Sequence, residues 1–361
     1  MRVVIVDDSQ SMRHLLKQLI SQDSELEVVG MAEDPYEARD MIKATNPDVI
    51  TLDVEMPKMD GLSFLRNIMR LRPMPVVLVS SLVGRNIQVA VEALETGAVD
   101  VLTKPSGGVT PQFGEQLREK LRIAGSRTVD QLKCGAVASS TAAPLRSTAV
   151  GEGSSGAVDR VIAIGSSTGG TSAVKEILRE LPGDLPPIMI SQHIPEKFSK
   201  AFADSANRLT ALTVIEAHDG DPVKRGHVYI APGGYHLSLA REGAGYVCRV
   251  ISGERVNGHR PSVGVMFDSV TEVMGRRQLG VILTGMGNDG AHAMVRQREA
   301  GAFTIAQDEA SSVVWGMPGE AHKLGGACET LPLAEIASAV VAWCDRPLSK
   351  SREAKLAANG A

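Results

Sequence analysis

Cysteine is scarce and scattered: Cys134, Cys248, Cys328 and Cys344 lie far apart, with no C-x-x-C pair. That spacing argues against a zinc site and against a disulfide framework, and it places the chain in a reducing compartment, the cytoplasm. Charge of one sign is not in excess either. The 38 Lys and Arg stand against 42 Asp and Glu, for a net charge of −4, so neither nucleic acid nor an anionic membrane surface is advertised as a partner. No basic recognition helix is present, which disfavours a DNA-binding output. No apolar run approaches the roughly 20 residues needed to span a bilayer. The opening Met1-Arg-Val-Val-Ile-Val-Asp7 enters a strand pattern at once, without the signature of a signal peptide. Membrane contact is therefore expected only through a partner.

What remains is length and alternation. At 361 residues the chain exceeds the roughly 250 to 300 residues at which single cores stop growing, so two domains and a linker are expected. Residues 1–124 alternate apolar strands near Val3–Val6, Glu27–Ala32, Val49–Leu52, Val76–Val79 and Val99–Thr103 with helices beginning near Ser9, Pro35, Gly61, Arg85 and Pro111. This alternation predicts a parallel sheet covered on both faces. In such sheets function gathers outside the carboxyl ends of the strands, where Asp7, Asp8, Asp53, Ser80 and Lys104 fall. Three crowded carboxylates call for a hard cation such as Mg²⁺. Asp53 is then a nucleophile for phosphoryl transfer, with Lys104 neutralising charge and Ser80 donating to the acyl phosphate. The plainer alternative makes Asp7 and Asp8 helix caps and Asp53 a solvated loop acid.

Residues 125–157 are small, polar and without period, as in Ser139-Ser-Thr-Ala-Ala-Pro and Gly151-Glu-Gly-Ser-Ser-Gly, the composition of a flexible linker. The second domain, 158–347, alternates again around Val161–Ile164, Ile188–Gln192, Gly280–Thr284 and Ala302–Ala306. Its middle, from Gly226 through Leu239 and on to Tyr246–Ile251, reads as short strands joined by tight turns, hence a β-hairpin insertion. A polar tail, 348–361, is expected to fray.

The second domain is organised around Asp159-Arg-Val-Ile-Ala-Ile-Gly165-Ser-Ser167-Thr-Gly169-Gly170, a buried strand running into a glycine-flanked turn. Gly165-Ser-Ser167-Thr-Gly169 fits a nucleophile elbow, although such turns also bind phosphate or cap helices. Two further strand ends offer His193 and Asp289, completing the residue types of an acyl-transfer triad. Asp289 has a competing role as cap of the helix after it. His259 stands in a polar turn and is a candidate for lining the pocket; His218, His227, His236, His292 and His322 read as surface or packing residues. Amides near Thr168 and Met286, in glycine-flanked turns, are oxyanion-hole candidates.

These motifs carry a resemblance. Val-Asp7-Asp8-Ser, Asp53-Val-Glu-Met-Pro-Lys-Met-Asp-Gly, Val-Ser80-Ser and Thr-Lys104-Pro resemble the receiver domain of bacterial response regulators. That likeness implies a flavodoxin-like, doubly wound five-stranded sheet and a phosphoacceptor at Asp53. It also implies Mg²⁺ held by Asp8, Asp53 and the Glu55 carbonyl, with Asp7 acting through water. Many receivers carry an aromatic residue near the start of the fifth strand, where this chain has Val101. Gly-Ser-Ser167-Thr-Gly-Gly, Gln-His193-Ile-Pro, Ala-Pro-Gly-Gly-Tyr-His, Arg-Pro-Ser-Val and Thr-Gly-Met-Gly-Asn-Asp289-Gly resemble the catalytic domain of the chemotaxis protein-glutamate methylesterase family. The resemblance implies hydrolysis of methyl esters on chemoreceptor glutamates, and deamidation of receptor glutamines, with Ser167, His193 and Asp289 as triad and no cofactor for that step. It implies methylated receptors as substrates and a chemotaxis histidine kinase as phosphodonor. A receiver with a non-catalytic, partner-binding output domain is the alternative.

Overall fold

The computed structural model describes residues 1–56, 60–81, 86–105, 108, 110–126 and 158–347. Most of the expected linker and the whole expected tail lie outside the described residues.

The first domain contains β1 (Arg2–Val6), α1 (Gln10–Ile20), β2 (Glu27–Ala32), α2 (Pro35–Thr45), β3 (Val49–Leu52), α3 (Gly61–Leu71), β4 (Val76–Ser80), α4 (Asn86–Thr96), β5 (Asp100–Thr103) and α5 (Pro111–Gly125). Its five parallel strands are ordered β2-β1-β3-β4-β5. Side chains alternate across a strand, and β1 shows the result. Val3 and Ile5 pack with Leu16 and Ile20 of α1 and Leu117 and Leu121 of α5. Val4 and Val6 belong to the core on the opposite face, with Ile42 of α2 and Leu65 and Ile68 of α3. Helix starts follow side-chain capping of the first free amides. Ser9 accepts from the Met12 N–H, Asp34 from Tyr36 and Glu37, Asp60 from Ser63 and Thr110 from Phe113; Pro35 and Pro111 occupy first-turn positions.

The second domain comprises β6 (Val161–Ser166), α6 (Gly170–Glu180), β7 (Ile188–Gln192), α7 (Ser199–Asn207), β8 (Thr213–Glu216), β9 (His227–Ile230), β10 (His236–Glu242), β11 (Gly245–Ile251), α8 (Val263–Met274), β12 (Gln278–Ile282), α9 (Ala291–Glu299), β13 (Phe303–Gln307), α10 (Met317–Lys323), β14 (Glu329–Leu331) and α11 (Leu333–Asp345). Seven parallel strands run in the order β14-β13-β12-β6-β7-β9-β8. β6 lies between β12 and β7, so the three strand ends that offer Ser167, Asp289 and His193 are neighbours.

The hairpin reading needs one correction. β10 and β11 do pair antiparallel, from His236 with Ile251 to Glu242 with Gly245. The segment His227–Ile230, read with them, instead pairs parallel to both β7 and β8. Its burial explains the choice: Val228, Tyr229 and Ile230 are all buried, as an inner strand of a doubly covered sheet requires.

The domains meet along α4, β5 and α5. Val91 and Leu94 share a small crevice with Phe198 and Phe202. Beside it Glu95 of α4 pairs with Lys175 of α6 and accepts from the Ser205 hydroxyl. Burial depresses the Lys175 ammonium, with Glu95 pulling the other way.

Candidate active site and phosphoacceptor site

β6 ends in an elbow. Gly169 adopts φ +77°, and any side chain there would run into Val313, so only glycine suits the turn. The elbow is tied to its neighbours on both sides. The Ser167 N–H donates to the Thr284 carbonyl (3.0 Å), and the Thr284 hydroxyl to the Thr168 carbonyl (3.0 Å). Gln192, at the end of β7, accepts from the Ser166 hydroxyl (2.6 Å) and donates to the Ser167 carbonyl (2.8 Å). The His193 N–H reaches the Ser166 carbonyl at 3.0 Å. Ser167 itself is half-buried at the mouth.

His193 Nε2 lies 2.8 Å from Asp289 Oδ2; in the neutral imidazole the nitrogen facing the carboxylate is the donor and Nδ1 carries the lone pair. Nδ1 is buried and has no hydrogen-bond partner among the described residues. The two nitrogens thus exchange the tasks they have in the serine-protease template, where Nδ1 faces the acid.

Asp289 does not cap α9; the cap there is Gly290, without a side-chain bond. Its carboxylate instead faces the N-terminus of α8. Oδ2 accepts from the Val263 N–H (2.7 Å), and Oδ1 from the Gly264 N–H (3.2 Å), the Ser262 hydroxyl (2.8 Å) and Asn257 Nδ2 (3.0 Å). Burial alone would push the carboxyl up, but the bonds from His193, Asn257 and Val263 outweigh it and hold the group well below the usual carboxylate range.

Ser167, Thr168, His193, Met286 and Gly287 line one cavity of about 360 Å³, whose opposite wall is made by Asp100, Thr103, Gln116, Glu119 and Lys120 of the first domain. The Thr168 hydroxyl donates to Asp100 Oδ2 at 2.7 Å, and Asp100 also pairs with Lys120 at 2.6 Å. Among the described residues the Thr168 and Met286 N–H groups meet no acceptor, which leaves them available to an oxyanion. His259, named from sequence only as a pocket-lining candidate, lines this cavity too. Among the remaining histidines His236 is buried in the fold, taking the Ser262 N–H on Nδ1 and bonding the Glu254 carbonyl through Nε2.

The first domain gathers the other set. Asp7, Asp8 and Asp53 each offer an oxygen within 4.8 Å of the others. Lys104 Nζ lies 2.7 Å from Asp7 and 2.6 Å from Asp53. Burial alone would lower the Lys104 ammonium, yet its bonds to Asp53 and Asp7 raise it. Burial, reinforced by the Asp53 charge, raises the Asp7 carboxyl in spite of Lys104. One ammonium therefore does not fully compensate the cluster, and this oxygen-rich set fits a hard divalent cation. The Ser80 hydroxyl is buried without a partner among the described residues. The Glu55 side chain is exposed and accepts from the Ser81 hydroxyl. Val101 is buried and lines the interdomain cavity.

The family model described as "CheB methylesterase" matches residues 162–340, and that for the "Response regulator receiver domain" matches residues 3–110. A protein-glutamate methylesterase/protein-glutamine glutaminase of Escherichia coli (strain K12) is 48% identical over 345 residues, covering 94% of this chain and 96% of that protein. Protein-glutamate methylesterase/protein-glutamine glutaminase 1 of Hahella chejuensis is 49% identical over 346 residues, covering 95% and 96%. Among solved structures, the Thermotoga maritima CheB methylesterase catalytic domain superposes with a TM-score of 0.50 at 36% identity, covering 51% of this chain and 98% of that one. With a receiver domain preceding a methylesterase domain and relatives matched along nearly its whole length, this chain belongs to the CheB family of protein-glutamate methylesterases.

Proposed function

We propose that the chain hydrolyses glutamate methyl esters on chemoreceptors to carboxylate and methanol, deamidates receptor glutamines by the same route, and does both under control of phosphorylation at Asp53. The observation that carries the chemistry is the imidazole of His193, bound to Asp289 through Nε2 with Nδ1 buried and unpartnered among the described residues, in a residue that lines the same cavity as Ser167. In this reading Ser167 attacks the ester carbonyl as Nδ1 takes its proton, and Asp289 steadies the imidazolium that forms. The Thr168 and Met286 amides receive the oxyanion. The same proton goes to the departing methoxide, and water activated by Nδ1 then frees the glutamate. A partner-binding output domain would have no use for such an arrangement.

On the receiver, the Asp8 and Asp53 carboxylates and the Glu55 carbonyl would hold Mg²⁺, with Asp7 acting through water; the ion would supply neutralising charge for phosphoryl transfer. Asp53 is the acceptor, Lys104 pairs with the incoming charge and Ser80 donates its free hydroxyl to it. A histidine kinase of the chemosensory pathway is the phosphodonor. Because Asp100 and Lys120 wall the esterase cavity, we read the docked receiver as a cover that phosphorylation shifts, with residues 125–157 as the tether. The receptors and the kinase place this work at the cytoplasmic side of the membrane, and no described helix is long and apolar enough to cross it.

Incubating the purified protein with methylated receptor and measuring methanol tests the reaction directly: absence of methanol from phosphorylated wild-type protein would refute it. Asp53→Asn is expected to abolish Mg²⁺-dependent labelling by phosphorylated kinase while leaving basal hydrolysis unchanged. Label retained on that variant would move the acceptor elsewhere.

A further inference from the structure

We infer that the turn Asn257-Gly258-His259 is a positioning device for the esterase base: His259 lies flat on His193 and fixes the ring so that Nε2 stays with Asp289 and Nδ1 stays free for the serine. The inference rests on the proposed role of His193. The two rings are 3.6 Å apart between centroids and inclined by only 6°.

The backbone is built to hold that stack. Val256 and His259 exchange both N–H···O bonds, each 3.0 Å. Between them Asn257 and Gly258 have φ of +51° and +79°. A two-residue turn with positive φ at both centres is the form that Asn-Gly favours. Asn257 does more than turn the chain, because its Nδ2 donates to Asp289 Oδ1 at 3.0 Å. Arg255 closes the loop through the Gly258 carbonyl at 3.2 Å. One short turn therefore touches both the acid and the base of the triad.

The base needs such support. The outer torsion of a histidine side chain is broad and roughly two-fold, so a ring flip would exchange Nε2 for a carbon beside Asp289 and Nδ1 for a second carbon. A flat neighbour at van der Waals distance opposes the swing and keeps water off one ring face. The neighbour must also stay uncharged when His193 becomes cationic. Burial above all, with the nearby His193 second, lowers His259 to about 4. Asp289 pulls in the other direction, while Arg255 and Lys120 add to the lowering. His259 therefore stays neutral near pH 7.

Steady-state methanol release by the phosphorylated full-length protein, with ¹⁵N NMR of the His193 imidazole, tests the inference. His259→Ala is expected to lower kcat about 100-fold, the scale of a small misplacement of a reacting group, with KM little changed. Its His193 nitrogens should change from one fixed tautomer to an averaged pair. His259→Phe, which restores a flat ring, should recover kcat to within about fivefold of wild type. If His259→Ala does not fold, His259→Gln takes its place, with similar volume and no flat ring. An Ala or Gln variant with wild-type kcat and an unchanged ¹⁵N pattern overturns the inference, as does a Phe variant as slow as Ala. If wild-type protein releases no methanol but the ¹⁵N pattern still collapses in His259→Ala, the proposed reaction fails and the positioning role stands.

Discussion

Ser167→Ala is expected to cut methanol release by roughly four to six orders of magnitude while the protein keeps its fold, because members of a cooperating triad fail together rather than additively. The substitution removes one oxygen from a half-buried position, and the elbow keeps its backbone bonds to Thr284 and Gln192. Loss of turnover with an unchanged melting curve therefore isolates chemistry from stability. His193→Ala should fall equally far. Asp289→Asn should fall less, since Nδ1 survives as a base without its fixing charge. Near-normal turnover in Ser167→Ala would end the serine-hydrolase reading.

The second large effect concerns the cover. A fragment of residues 156–346 should turn over methylated receptor about 5- to 150-fold faster than the unphosphorylated full chain, the span of a coupling worth 1–3 kcal/mol, and should ignore phosphodonor. Two contacts supply the coupling. The Thr168 hydroxyl is engaged by Asp100 beside Ser167, and the Lys175 side chain, only 6% exposed, is paired with Glu95. Glu95→Ala leaves that ammonium buried without its carboxylate, which weakens the docked state more than loss of a surface pair would. Its basal rate should move toward that of the fragment. A fragment slower than the full chain would mean that the receiver activates directly and that the covering contact is not inhibitory.

Sequence patterns located the receiver strands well: β3 is buried along its whole length, and even the partly exposed edge strand β2 carries a clear apolar run. β2 and β3 begin and end at the expected residues, and the remaining receiver strands differ by a residue at an end. The edge strands of the second domain were less visible. β8 and β14 are four and three residues long and partly exposed, so no apolar run marks them. His227–Ile230 has strong strand character, but propensity is silent about pairing partners, and the nearby hairpin drew it into the wrong sheet. The candidate site was legible as residue types at strand ends, since parallel order brings those ends to one edge. What the sequence could not reveal was orientation. Nothing in Asn-Asp289-Gly distinguishes a cap for the next helix from a partner for α8, nor which imidazole nitrogen meets the acid. The Asn257-Gly258 pair was a readable turn signal, but its stacking of His259 on His193 depends on contacts far apart in the chain.

The seat of Asp289 at the start of α8 has a spectroscopic consequence. A carboxylate at a helix N-terminus is stabilised by the free amides and the helix dipole, and here the Val263 and Gly264 N–H groups share their acceptor with the imidazole. Any charge that develops on His193 must draw on the same carboxylate, most directly on the Oδ2 that Val263 also uses. Amide hydrogen exchange at Val263 and Gly264 is therefore a remote gauge of the base: the protection of these two amides should fall together in Asp289→Asn, while the amides of the middle of α8, bonded within the helix, hold theirs.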